Sequence, residues 1–164
     1  MKKIIVIGSP GAGKSVFSKK LKSITNIPLY HLDMLYHKVD GTHISKEELE
    51  EKLKEIFKKD NWIIDGNYQR TIEMRLKECD TVFLLDIPTE DCIAGAESRV
   101  GKKREDMPWI EEQIDERFKQ SIIDFSNEKL PQIYELLNKY KNHINIVIFK
   151  SREEIDNYIN SYKL

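Results

Sequence analysis

The chain has 164 residues, of which 27 are Lys or Arg and 28 are Asp or Glu, so its formal net charge is −1. A charge this close to zero excludes a whole-chain attraction to nucleic acid or to anionic membranes. The two cysteines have no metal-site or C-x-x-C spacing, and no apolar run is long enough to span a membrane. We therefore predict one cytoplasmic domain, residues 1–164, that is a monomer or a weak homodimer.

The first predicted element is a buried strand over Lys2–Ile7, in which two lysines precede the β-branched run IIVI. It leads into GSPGAGKS, which fits the pattern of Gly, four residues and Gly-Lys-Ser/Thr, and an amphipathic helix pattern begins directly afterwards. A strand, a glycine-rich loop and a helix in this order predict a phosphate-binding loop, the P-loop. Glycines let backbone N–H groups approach phosphate oxygens, and the helix N-terminus adds positive charge.

The P-loop predicts ATP and Mg²⁺ as cofactors. The residues expected to hold ATP are Gly8, Ser9, Pro10, Gly11, Ala12, Gly13, Lys14 and Ser15. The Lys14 ammonium is the predicted catalytic charge on the β- and γ-phosphates, and the Ser15 hydroxyl is a predicted Mg²⁺ ligand. The alternative is a glycine turn that binds nothing.

Four more strand candidates follow, with helical patterns between them. They are Ile27–Asp33, Trp62–Asp65, Thr81–Ile87 and Ile144–Phe149. Capping-box patterns that begin at Ser45 and Ser151 predict the starts of two of the helices. The alternation predicts a five-stranded parallel sheet with helices on both faces, a three-layer α/β fold whose ligands bind at the carboxyl ends of the strands.

Acidic residues stand where three of the predicted strands end. Asp33 is a predicted base or orienting residue for a substrate hydroxyl, and the alternative is an ordinary turn aspartate. Asp65 is the predicted second anchor for Mg²⁺, often through water. Asp86 competes with Asp65 for the metal but fits a turn equally well. We interpret His31 as a structural residue within an apolar run.

A basic segment, RVGKKRED, follows the fourth strand and the next helix. A kinase needs cations over the γ-phosphate and must keep water out, so we predict a short lid at about residues 99–110. Arg99 and Arg104 are its predicted catalytic cations, and Arg99 also counts among the predicted ATP-binding residues. The alternative is a solvated charged turn.

In order along nearly the whole chain, GSPGAGKS, IPLYHLD, WIIDGNY, TVFLLDIP, GKKREDM and VIFKSREEI resemble the adenylate-kinase-related P-loop proteins of the DNA topology modulation protein family. The resemblance implies a nucleoside-kinase-like fold with sheet order 2-3-1-4-5, a P-loop and a lid. It also implies that Asp65 lies near Mg²⁺, that Arg99 stands at the lid entrance, and that Lys150 lies where the loop after the fifth strand meets adenine. Arg70 follows WIIDGNY one place later than the monophosphate-binding arginine of adenylate kinases, and Arg75 lies farther along. Either arginine could reach toward an anionic substrate, and the alternative for each is a solvated surface position.

These features together predict an ATP-dependent kinase whose acceptor is a nucleotide or another small molecule bearing a hydroxyl or a phosphate. Two alternatives belong to other classes. A nucleotide-binding regulator linked to DNA topology would need the P-loop alone, and an NTP hydrolase would need no acceptor. The net charge argues against direct nucleic-acid binding.

Overall fold

The computed structural model describes residues 1–103, 105–110, 113 and 116–162. Within these residues five strands form one parallel sheet, in the order β2-β3-β1-β4-β5. The strands are β1 (Lys3–Gly8), β2 (Leu29–His31), β3 (Trp62–Asp65), β4 (Thr81–Leu85) and β5 (Asn145–Phe149). The predicted sheet and its strand order are confirmed. Because Val6 pairs with Asp65 on one side and with Phe83 on the other, β1 leads into the P-loop from the middle of the sheet.

The helices connect and cover the strands. In the described part of the chain there are eight α-helices and one π-helical stretch, Phe125–Lys129. The α-helices are α1 (Lys14–Thr25), α2 (Leu32–Tyr36), α3 (Lys46–Phe57), α4 (Gln69–Glu78), α5 (Thr89–Ser98), α6 (Glu116–Asp124), α7 (Leu130–Tyr140) and α8 (Arg152–Ser161). No helix among the described residues is long and apolar enough to cross a bilayer.

Both predicted helix starts are capped as the sequence indicated. The Ser45 hydroxyl accepts a hydrogen bond from the Glu48 backbone N–H at 3.1 Å, and the Ser151 hydroxyl accepts one from the Glu154 N–H at 3.2 Å. Each bond satisfies one of the N–H groups that the first turn of a helix leaves without a partner. Helices α3 and α8 therefore begin where local sequence chemistry places them.

Hydrophobic side chains fill both faces of the sheet. Ile5 and Ile7 of β1 belong to one buried cluster, whereas Ile4 and Val6 belong to the other, as the alternation of side chains along a strand requires. One buried cysteine lies in each cluster. The two clusters make β1 a strand that is covered on both sides, which is why its sequence is continuously apolar.

Two strands end earlier than the sequence predicted. Strand β2 stops at His31 because its partner β3 ends at Asp65, which His31 pairs with, and no further ladder is available. The chain turns at once into α2, so Asp33 lies in the first turn of a helix rather than on a strand. Strand β4 likewise ends at Leu85, opposite the last residue of β1, and not at Ile87. Residues 99–103 and 105–110 of the predicted lid contain neither helix nor strand.

Candidate active site

The P-loop runs from the end of β1 into the start of α1. Gly11 and Gly13 have positive φ angles of 80° and 95°, a conformation that L side chains rarely adopt. A Cβ on Gly11 would also lie 1.9 Å from the carbonyl oxygen of Cys92 in α5. The curvature of the loop therefore requires both glycines, and the contact with α5 requires Gly11 as well.

Lys14, the first residue of α1, folds its side chain back over the loop. Its ammonium donates hydrogen bonds of 2.9 Å to the carbonyl oxygens of Gly8 and Ser9. Burial lowers the pKa of Lys14, and the nearby carboxylates of Asp33 and Asp65 oppose that shift. Lys14, Asp33 and Asp65 are thus close enough to interact electrostatically.

A cavity of about 390 Å³ opens beside the P-loop. The predicted site residues that line it are Pro10, Gly11, Gly13, Lys14, Ser15, Asp33, Asp65 and Arg99. Gly8, Ser9, Ala12 and Lys150 are not part of its lining, and Arg104 lies outside the described residues. The fold therefore brings one end of the predicted lid, two strand-end acids and the loop lysine to the same space.

Asp65 is buried at the end of β3 and lies against His31. The His31 Nδ1 atom is 2.9 Å from Asp65 Oδ1 and 2.8 Å from Oδ2. Burial by itself would lower the pKa of His31, but the hydrogen bond to Asp65 and the negative charges of Asp65, Asp106 and Glu105 together raise it, and the net shift is upward. His31 packs within the fold, as we interpreted, and it also holds the predicted metal ligand. The paired register of β2 and β3 brings the two residues together.

The residues present fit a magnesium ion held together with nucleotide phosphates. The Ser15 hydroxyl and the Asp65 carboxylate both line the cavity and offer the hard oxygen atoms that Mg²⁺ prefers. No group of three or more His, Cys, Asp or Glu side chains among the described residues forms an all-protein metal site. Phosphate oxygens and water would have to complete the coordination, as is usual for this ion.

Asp33 is held by a tyrosine that the sequence analysis did not single out. The Tyr68 hydroxyl donates a hydrogen bond of 2.6 Å to Asp33 Oδ1, and His37 Nε2 lies 3.9 Å from the same oxygen. Burial and the Asp33 carboxylate both raise the pKa of Tyr68, so it remains a donor at neutral pH. Tyr68 adopts a left-handed backbone, with φ 40° and ψ 74°, a strained conformation that is typical of functional sites.

The loop that carries Tyr68 is fixed by Arg75 of α4. The Arg75 side chain is fully buried and donates to the carbonyl oxygens of Gly66, at 2.9 Å, and of Asn67. Burial lowers its pKa to about 9. Neither sequence-based alternative for Arg75, reaching an anionic substrate or lying in solvent, is correct. The helical spacing of Thr71, Ile72, Arg75 and Leu76, all buried, carries the signal that was missed.

Three other predicted residues form contacts outside the cavity lining. Arg70 is bound to α3 through Glu50, with Nε 2.9 Å from the carboxylate, and through Glu47 at 3.5 Å. Asp86 accepts hydrogen bonds from the Tyr134 hydroxyl at 2.6 Å and from Lys150 Nζ at 2.5 Å. Asp65 lines the cavity beside the P-loop, whereas Asp86 does not and is bound by Tyr134 and Lys150.

Comparisons with known proteins agree with this geometry. No family model matches the chain. The adenylate kinase isoenzyme 6 homolog of Plasmodium falciparum is 30% identical over 175 residues, which cover 88% of this chain and 92% of that protein. Adenylate kinase of Thermotoga petrophila is 32% identical over 85 residues, which cover 51% of this chain and 38% of that enzyme. The chain thus spans less than half the length of the Thermotoga enzymes that it matches.

Solved structures give the same fold. A shikimate kinase from Acinetobacter baumannii in complex with shikimate superimposes with a TM-score of 0.62 at 16% identity, covering 98% of this chain and 90% of that one. A shikimate kinase from Bacteroides thetaiotaomicron gives a TM-score of 0.58 at 15% identity, with 98% and 95% covered. At such low identity these matches establish the three-layer P-loop kinase fold and nothing about the substrate.

Proposed function

Because this chain belongs to the adenylate kinase family, we propose that it is an ATP-dependent kinase that phosphorylates a nucleotide or another small molecule. The proposal rests on one observation: a single cavity beside the P-loop is lined by Lys14, Asp33, Asp65 and Arg99. A phosphoryl-transfer site needs such an arrangement: a cation for the phosphates, oxygen ligands for a metal, and a group that handles the acceptor.

In the proposed mechanism the backbone N–H groups of the P-loop bind the phosphates of ATP, and the start of α1 adds its positive end. The Lys14 ammonium exchanges its bonds to the Gly8 and Ser9 carbonyl oxygens for bonds to phosphate oxygens. Ser15 and Asp65 would hold Mg²⁺, which neutralises phosphate charge when it is bound. Arg99 supplies a second cation from the lid, and Asp33 orients the acceptor.

Several finer features belong to the same proposal. The chain acts as one domain, residues 1–164, with a lid at about residues 99–110, in the cytoplasm, as a monomer or a weak homodimer. Lys150, at the end of β5, is proposed to approach adenine. Within the adenylate kinase family we propose a closer kinship with the DNA topology modulation proteins, on the sequence motifs alone.

The test is a thermal unfolding experiment with ATP and Mg²⁺, followed by an assay of ADP release. A ligand present at 100 times its Kd stabilises the folded state by about 2.7 kcal/mol, so the Tm should rise clearly. Lys14→Ala should remove most of that rise, whereas Lys22→Ala, at an exposed position of the same helix, should retain it. Equal shifts in the wild type and Lys14→Ala would overturn the ATP site. ATP binding without phosphoryl transfer to an acceptor would instead support a regulator or an NTP hydrolase.

A further inference from the structure

Acidic and aromatic side chains line the cavity together with the P-loop. Building on the kinase function proposed above, we propose that the acceptor is an alcohol that carries no phosphate or other anionic group, and that Asp33 accepts its hydroxyl proton. This assigns a substrate class that differs from a nucleoside monophosphate.

The arginines that follow the third strand are not available to bind a phosphate. Arg70 donates to Glu50 and lies 3.5 Å from Glu47, so two carboxylates of α3 already neutralise it. Arg75 is buried and directs its guanidinium at the carbonyl oxygens of Gly66 and Asn67. Neither side chain is part of the cavity lining. A phosphate on the acceptor would therefore find no arginine of α4 to pair with.

Among the described residues, the Lys and Arg side chains that line the cavity are Lys14, Arg99 and Lys129. Arg99 is near enough to Lys14 to lower the pKa of that lysine, so the two charges share the space where the ATP phosphates are proposed to lie. Lys129 is exposed at the last residue of the π-helical stretch. The carboxylates of Asp33 and Asp65 also line the cavity. An anionic acceptor would approach Asp33 against like charge, whereas an alcohol would donate to it.

Asp33 is placed to accept a hydrogen bond from a substrate hydroxyl. Its Oδ1 atom already accepts the Tyr68 hydroxyl at 2.6 Å, and no described residue donates a hydrogen bond to Oδ2. The Tyr68 bond fixes the rotation of the carboxylate, which leaves the second oxygen for a substrate alcohol.

Aromatic side chains line the same cavity as this carboxylate. His37, Tyr68 and Phe118 line the cavity, and Tyr36 packs behind Tyr68 with ring centroids 5.1 Å apart. Aromatic faces bind the apolar faces of uncharged rings, while a few polar groups fix their orientation. The combination of rings with a carboxylate fits a ring-bearing alcohol such as a nucleoside or a sugar.

The transfer step balances with ATP as the phosphoryl donor. The O–H bond of the acceptor breaks and its proton passes to Asp33 Oδ2. A bond forms between the acceptor oxygen and the γ-phosphorus, and the bond from that phosphorus to the bridging oxygen of the β-phosphate breaks. The products are the phosphorylated alcohol and ADP, and Asp33 then returns the proton to solvent.

The experiment measures ADP release from ATP·Mg²⁺, corrected for hydrolysis without acceptor, for matched pairs of compounds. Each nucleoside is compared with its own 5′-monophosphate, and neutral sugars are compared with shikimate as an anionic alcohol. We expect a neutral compound to accelerate ADP release at least about tenfold more than its anionic counterpart, a difference of about 1.4 kcal/mol in transition-state binding. This part uses the wild-type protein and needs no variant.

A second measurement examines Asp33 directly. Asp33→Asn should lower kcat for the neutral acceptor by about 10²-fold or more, as loss of a general base does, while the Tm rise with ATP·Mg²⁺ stays that of the wild type. Asp60→Asn, an exposed acid after α3, should keep the wild-type kcat.

The outcomes separate the two proposals. Faster ADP release with a monophosphate than with its nucleoside overturns the alcohol proposal and leaves the kinase intact. An Asp33→Asn variant with wild-type kcat overturns the role of Asp33. If ATP binds but no compound accelerates ADP release, the kinase function fails, and the acceptor assignment fails with it.

Discussion

The side-chain oxygen of Asn67 accepts a hydrogen bond from the backbone N–H of Gly8 at 3.1 Å. This bond ties the loop after β3 to the first residue of the P-loop, across 59 positions of sequence. The same loop carries Tyr68, which holds Asp33, and it follows Asp65, the proposed metal ligand. One short segment thus contacts both the P-loop, through Asn67, and Asp33, through Tyr68.

Replacing Asn67 should loosen the P-loop. Asn67→Ala leaves the Gly8 N–H without its partner, and an unsatisfied group of this kind costs about 1–3 kcal/mol. We expect a lower free energy of unfolding, measured by urea denaturation, and a higher Kd for ATP·Mg²⁺, measured by calorimetry. Asn160→Ala, at an exposed position of α8, is the control and should change neither quantity. A wild-type Kd in Asn67→Ala would show that the bond does not help to shape the nucleotide site.

Asp65 and Asp86 should differ in how strongly they affect Mg²⁺ binding. Asp65 lines the cavity, whereas Asp86 is bound to Lys150 and Tyr134. Asp65→Asn should therefore raise the Mg²⁺ concentration needed for half-maximal ATP binding more than Asp86→Asn does. Tryptophan fluorescence or calorimetry at several Mg²⁺ concentrations measures this directly. The reverse ranking would assign the metal to the β4 side of the P-loop.

The buried Arg75 should matter more for stability than the exposed Arg70. Arg75→Leu removes the donors to the Gly66 and Asn67 carbonyl oxygens, and we expect the free energy of unfolding to fall by about 2–4 kcal/mol. Arg70→Leu removes surface ion pairs to Glu47 and Glu50, which are typically worth less than about 1 kcal/mol. Urea denaturation of both variants gives the comparison. Similar losses in the two would mean that the loop holds its conformation without Arg75.

Arg99 should act on the chemical step. It lines the cavity and is close to Lys14, so its charge can stabilise the phosphoryl group as negative charge accumulates during transfer. Arg99→Ala should lower kcat by about 10²-fold, with a smaller change in the KM for ATP. Lys102→Ala, at an exposed position of the same segment, should retain the wild-type kcat. If Arg99→Ala also retained it, the segment would be a solvated turn rather than a lid.

Features encoded by spacing along the chain are predictable from the amino-acid sequence by itself. The glycine pattern, the capping boxes at Ser45 and Ser151, and the alternation of apolar runs with amphipathic stretches predict the P-loop, two helix starts and the parallel sheet. Each depends on residues within a few positions of one another, because backbone curvature and periodicity are local properties. The position of Asp65 at the end of β3 follows from the same reasoning.

The partners of the site side chains were decided by tertiary structure alone. His31 meets Asp65 because β2 and β3 pair in register, and Tyr68 meets Asp33 because the loop after β3 crosses the start of α2. These contacts join residues 34 and 35 positions apart, and no local pattern specifies them. Hydrogen bonds are directional and short, so which carboxylate stays free for a substrate depends on the folded geometry.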